Sequence, residues 1–168
     1  MFLYRLRLAA IAWLVCVPLC GANALEAPKG KVVLTVSGTL SKPNHGKDAT
    51  FSMEMLEKLP QKSFSTKTPW YPKAVTFTGP LLRDVLAAAG ASGKQISARA
   101  LDDYKTLLPM SDAQNFDVIL ALQIDGKNLT IREKGPLFIV FPYDSKPELQ
   151  GQVYLDRSTW QLKSLTIE

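Results

Sequence analysis

The stretch Val118-Ile-Leu-Ala-Leu-Gln-Ile-Asp-Gly126 decides how this chain is read. Seven residues, apolar except for Gln123, end in Asp-Gly, the dipeptide that best supports a two-residue hairpin turn. A short apolar run bounded by turn residues is the pattern of a strand buried on both faces. The spacing therefore predicts a strand over 118–124 turning at Asp125-Gly126 into a second strand over 127–131. Downstream, Leu137 to Phe141 repeats the buried-strand pattern and is ended by Pro142. The tail alternates around Leu165 and Ile167 and predicts a closing strand.

Upstream, Lys31-Val-Val-Leu-Thr-Val-Ser37 alternates apolar and other residues and predicts a strand ended by Gly38. Ser41-Lys-Pro-Asn-His-Gly46 is turn chemistry. Ser52 is placed to cap a short helix running to Leu59, with Pro60 as its stop. Phe64–Thr68 and Ala74–Thr78 are extended pieces around Pro69-Trp-Tyr-Pro72. Gly79-Pro80 opens a helix whose apolar face is Leu81, Leu82, Val85, Leu86 and Ala89, closed by Gly90. Gln95–Leu101 and Tyr104–Leu108 form a hairpin about Asp102-Asp103, and Ser111-Asp-Ala-Gln-Asn115 makes one helical turn. Many short hairpin-linked strands with two or three short helices give an α+β fold with a mainly antiparallel or mixed sheet.

The beginning of the chain is an address. Arg5 and Arg7 precede an apolar run from Leu8 to Leu19, and Ala22-Asn23-Ala24 offers small residues where a signal peptidase reads. The run is shorter than the roughly 20 residues that span a bilayer. We expect residues 1–24 to be a signal peptide cleaved near Ala24, a periplasmic location, and one domain over 25–168 with no stable membrane span. Cleavage removes two cations and no acid, so the net charge falls from +5 to +3. No Lys/Arg run reaches the density of a nucleic-acid patch, so no nucleic-acid partner is expected. Both cysteines, Cys16 and Cys20, lie in the address. The remainder has no disulfide and no thiolate to serve as nucleophile or metal ligand.

Several segments, in order, resemble the oxidoreductase molybdopterin-binding domain, the fold of sulfite oxidase. They are Phe77-Thr-Gly-Pro-Leu-Leu-Arg-Asp-Val-Leu86, Ala100-Leu-Asp-Asp-Tyr104 followed by Pro109, the 118–126 stretch, Gly135-Pro-Leu-Phe-Ile-Val-Phe-Pro142 and Trp160-Gln-Leu-Lys-Ser-Leu-Thr-Ile167. Met53-Glu-Met-Leu-Glu-Lys-Leu-Pro60 and Trp70 extend the likeness, which covers roughly residues 50 to 167. The resemblance implies the fold and, for catalytic members, a molybdenum dithiolene cofactor gripped by one cysteine before the Gly79 helix. Here that region reads Lys62-Ser-Phe-Ser-Thr-Lys-Thr-Pro-Trp70, with hydroxyls and no sulfur. An alkoxide from Ser65 or Thr66 would need the metal to force its deprotonation. The resemblance also implies cofactor insertion in the cytoplasm and export in the folded state by a twin-arginine signal; Arg5-Leu-Arg7 has no adjacent pair. Both observations lead to the expectation of a cofactor-free relative, with no catalytic or metal-ligating residue assigned.

Each candidate site residue has a plainer role beside a functional one. His45 sits in a turn where solvation explains it, with Asp48 as its only nearby carboxylate in sequence. Asp102-Asp103 is either an acid pair or hairpin geometry. Trp70 and Tyr71, between prolines, either line a pocket with Lys67 or Lys73 supplying positive charge, or pack into the core. Tyr104 reaches the same face if the resemblance holds. Arg132 and Lys134 either add anion contacts or are exposed strand-end charges. The leading expectation is an exported non-catalytic protein that binds a small polar or anionic ligand, or serves a membrane-sensor or redox-protein partner. The alternative is a molybdopterin-dependent oxidoreductase using a non-cysteine ligand or a partner subunit. A third is a purely structural interaction module.

Overall fold

The computed structural model describes residues 24–168, so the expected signal peptide lies outside the described residues except for Ala24. The chain opens with β1 (Val32–Gly38), which turns through a His45–Asp48 bridge into β2 (Ala49–Ser52). Leu34 and Val36 of β1 point into the core, and Val33, Thr35 and Ser37 face the other way, as period-2 alternation requires. Ser52 caps α1 (Met53–Lys58) by accepting from the Met55 N–H at 3.4 Å. Gln61 then turns its amide back onto the Leu56 and Leu59 carbonyls, at 2.9 and 2.7 Å, and starts β3 (Gln61–Thr66).

β4 (Val75–Pro80) runs antiparallel to β3, with Gln61 opposite Pro80. Gly79 and Pro80 therefore end a strand, and the helix they were expected to open, α2 (Leu82–Ala88), begins two residues later. A terminal strand position suits Pro, which has no N–H to give to a ladder. The Leu82 N–H donates instead to the Val118 carbonyl at 2.8 Å, fixing the helix start. Gly79 has to be glycine for a different reason: a Cβ there would collide with the Leu120 carbonyl. Gly90, at φ +64°, closes α2 as expected.

β5 (Gln95–Ala100) and β6 (Lys105–Pro109) form the hairpin about Asp102-Asp103, and α3 (Met110–Asn115) follows. The run at 118–124 is not one strand. β7 (Ile119–Ala121) pairs with β10 (Phe138–Val140), and after Leu122 the chain changes partner, β8 (Gln123–Ile124) pairing with β4. Leu122 donates its N–H to the Thr78 carbonyl at 2.8 Å, so its backbone is satisfied at the crossover. Asp125 and Gly126, both at positive φ, make the expected turn into β9, which is only Lys127–Asn128. The rest of the expected second strand becomes a 3₁₀ turn, Ile131–Glu133, ended by Lys134 at φ +72°. The chain closes through α4 (Gln152–Asp156) and β11 (Leu162–Ile167). Two or three helices were expected and four short ones form among the described residues; α4 was missed because its apolar residues, Val153, Tyr154 and Leu155, are consecutive and five residues are too few to show a helical repeat.

The fold is α+β. A five-stranded sheet runs β2-β1-β11-β5-β6, with β1 and β11 parallel and the other neighbours antiparallel. A four-stranded sheet, β3-β4-β8-β9, and the β7–β10 ribbon lie beside it. Fully buried Phe51, Phe77, Phe138 and Phe141 anchor the core. No helix among the described residues is long and apolar enough to cross a membrane.

Candidate functional site

The end of β3 and the chain after β10 meet at one corner. Thr66, 1% exposed, accepts the Asp144 N–H on its hydroxyl at 3.1 Å. Asp144 returns the contact, its carboxylate accepting the Lys67 N–H at 2.7 Å. Beneath them Tyr143 is buried, and its hydroxyl is held against the Ser158 hydroxyl. Ser158 donates to the Tyr154 carbonyl at 2.8 Å, so Tyr143 is the donor to Ser158. Burial pushes the Tyr143 phenol up to about 12. Tyr143 is therefore a structural donor with its proton committed.

Aromatic packing completes the corner. Trp70 meets Phe138 edge-on at 5.3 Å, Trp160 at 5.8 Å and Tyr143 at 6.2 Å, and Phe138 also meets Phe77 at 5.9 Å. Such edge-to-face pairs add stabilisation beyond the area they bury. Lys134 lays its ammonium 4.8 Å over the Trp160 ring. Of the candidates, Trp70 and Lys134 thus converge, through Trp160.

Lys67 stays at the same corner, lining a hollow of about 410 Å³ with Thr68, Pro69, Tyr143 and Asp144. The others disperse. Tyr71 lines a separate hollow of about 200 Å³ with Asp125, Asn128 and Glu133. Its buried hydroxyl has no hydrogen-bond partner among the described residues, and burial, with a smaller effect of Glu133, raises its pKa. Tyr104 stands half exposed in the β5–β6 turn, its N–H donating to Asp102 at 3.1 Å, and its ring pairs with neither Trp70 nor Tyr71. Arg132 is exposed in the 3₁₀ turn. Asp103 adopts φ +68° and takes the Lys163 ammonium at 2.6 Å, which, as the leading cause, lowers its pKa. Geometry thus accounts for the Asp pair, and the His45–Asp48 backbone bridge accounts for His45.

Two charged groups escaped the sequence reading. Asp117 takes Arg83 at 2.9 Å and Lys62 at 3.3 Å beside a hollow of about 420 Å³ that also holds Phe116 and Lys146; the Arg83 hydrogen bond leads in lowering its carboxyl. Asp112, 5% exposed, holds Arg157 at 2.9 Å, yet burial outweighs that cation and raises the carboxyl. Neither pairing has a sequence signal, because the partners lie 34 and 45 residues apart.

The donor set at the end of β3 does not fit a molybdenum ligand. Thr66 is buried and already engaged by Asp144, and Ser65, on the opposite side of the strand, is exposed. No thiol follows Cys20, and no group of three His, Cys, Asp or Glu able to hold a metal occurs among the described residues. No curated protein matches this chain. The family model for the oxidoreductase molybdopterin binding domain matches residues 27–144, from before β1 to Asp144 at the corner itself. With most of its length matched and the α+β architecture in place, the chain belongs to the oxidoreductase molybdopterin-binding domain family.

Proposed function

We propose that this protein is an exported, cofactor-free member of its family that works as a ligand-binding or accessory protein. Ligand binding or service to a membrane-sensor or redox partner takes the place of turnover. The observation that carries the reading is the engagement of Thr66. In a segment without sulfur, the most buried of its hydroxyls, that of Thr66, is an acceptor for the Asp144 N–H. Recruiting that oxygen to a metal would leave the Asp144 N–H without its acceptor and require a proton to leave an alcohol far above the thiol range. The leader with Arg5 and Arg7 separated by Leu6 supports delivery to the periplasm in unfolded form.

The test is elemental and mass analysis of protein purified from the export compartment of its native host. The expected result is neither molybdenum nor pterin in stoichiometric amount, and no turnover with an electron-acceptor dye. A Mo(V) resonance from that material overturns the proposal and makes the protein an oxidoreductase with an oxygen ligand or a partner's residue on the metal.

A further inference from the structure

The outer face of the five-stranded sheet changes character along its length. Toward the ends of β1 and β11 it is polar: the Ser37 and Thr166 hydroxyls stand 3.1 Å apart, with Ser97 beside Thr166 in the register. Toward the beginning of β1 it turns apolar. Val33, Leu101, Leu129, Ile131, Pro136 and Leu162 line a groove of about 630 Å³ there, with three hydroxyl side chains among them. Clefts of this size, mostly apolar with a few polar groups, are the ordinary form of small-molecule sites. Three of its apolar residues stay in water, Val32 at 41%, Leu101 at 43% and Ile131 at 57% exposure. Converging exposed apolar groups of this kind mark interaction sites rather than ordinary surface.

The lining is built, not loose. Gly135 donates its N–H to the Thr130 carbonyl at 2.7 Å, and the Gln161 amide donates to the Ile131 carbonyl at 2.8 Å. The turn also sorts its side chains. Glu133 accepts from the Thr130 hydroxyl at 2.9 Å and lines the Tyr71 hollow, whereas Ile131 lines the groove. The lining includes no acid, and its two charged residues are both lysines. Lys163 is held by Asp103 at 2.6 Å; Lys31 has no carboxylate partner among the described residues. An apolar trough with an uncompensated ammonium at its edge complements a molecule that is apolar along its length and anionic at one end.

We infer that this groove binds a single-chain amphiphilic anion, an alkyl tail ending in a carboxylate, with the tail along Leu101 and Ile131 and the head at Lys31. The inference rests on the reading of the chain as a binding protein and names the site and ligand class that reading lacks. The probes are octanoate, decanoate and dodecanoate, titrated calorimetrically below their micelle concentrations into the exported protein. Affinity rises about fourfold per added methylene. Ile131→Glu and Leu101→Glu each weaken decanoate about tenfold or more without lowering the melting temperature. Lys31→Glu weakens decanoate but not decanol.

Any one of these results overturns it: affinity independent of chain length, decyltrimethylammonium binding as tightly as decanoate, decanoate affinity unchanged in both glutamate variants, or a dimer in the ultracentrifuge that Ile131→Glu dissociates. Binding to anionic phosphatidylglycerol vesicles without binding to monomeric decanoate also overturns it, making the face a membrane contact. Molybdenum in the native protein would remove the cofactor-free reading while leaving a chain-length series intact, so the two failures are distinguishable.

Discussion

The corner at Thr66 and the groove at Lys31 treat their polar and apolar groups in opposite ways. At the corner, Thr66, Asp144, Tyr143 and Ser158 satisfy one another, and Trp70 is covered by Phe138 and Trp160. At the groove, Ile131 and Leu101 remain in water and Lys31 lacks a counter-charge among the described residues. Groups that satisfy each other contribute to stability and have little left to offer a ligand; groups that do not are available for binding. The difference teaches that, in this chain, the place where the family resemblance points for chemistry and the place with spare binding capacity are different places.

That contrast is most strongly tested at Phe138. Phe138→Ala removes a fully buried ring that contacts Trp70, Phe77 and Trp160, and unfolding free energy in urea should fall by about 4 kcal/mol. The decanoate affinity of the surviving folded fraction should be unchanged.

Next in size is the pair behind the corner. Arg157→Met leaves Asp112 buried without its cation, and we expect a loss of about 2 kcal/mol at neutral pH, below the cost of a fully buried pair because Arg157 is 23% exposed. The sign with pH follows from the raised carboxyl of Asp112. Its contribution to stability is fully present below the unfolded value and is lost as pH rises through the folded one. In the variant that folded value rises further, so the deficit against the parent should shrink in acid. Melting temperatures across pH 3 to 7, roughly the carboxylate range and above, check this.

Smaller again is Thr66→Val, which keeps the shape and removes the acceptor of the Asp144 N–H. It should cost about 1 kcal/mol by urea unfolding. A larger loss accompanied by loss of a bound metal would place function at the corner and break the comparison. The smallest effect belongs to the groove: Ile131→Ser should change stability by no more than about 0.5 kcal/mol, since more than half of the residue is already in water.

Much of this fold was readable from residue order. Ser52 as a cap, Gly90 as a stop and Asp125-Gly126 as a hairpin turn are local devices whose chemistry acts within a few residues, and each stands where its type predicts. The 118–124 run misled because composition reports burial, not partner. Nothing in Ile119-Leu-Ala-Leu-Gln-Ile124 says that the first half pairs with β10 and the second with β4. Gly79-Pro80 misled for the converse reason, since a proline suited to a helix start is equally suited to the last position of a strand.

The site was less readable. Trp70 between prolines drew notice, but Asp144, the group that decides what Thr66 can do, lies 78 residues from it and looks like any polar loop residue. The groove was invisible for the same reason. Lys31, Leu101 and Ile131 come from three distant segments that only the finished sheet brings together.

The position of β11 has one more consequence. It lies between β1 and β5, so the β1–β2 and β5–β6 ribbons share no hydrogen bonds until the final strand slides between them. A chain lacking Leu162–Ile167 therefore carries two unjoined ribbons with open edges, and the five-stranded sheet forms only once that segment has docked between them. Six residues thus decide whether the two ribbons act as one sheet.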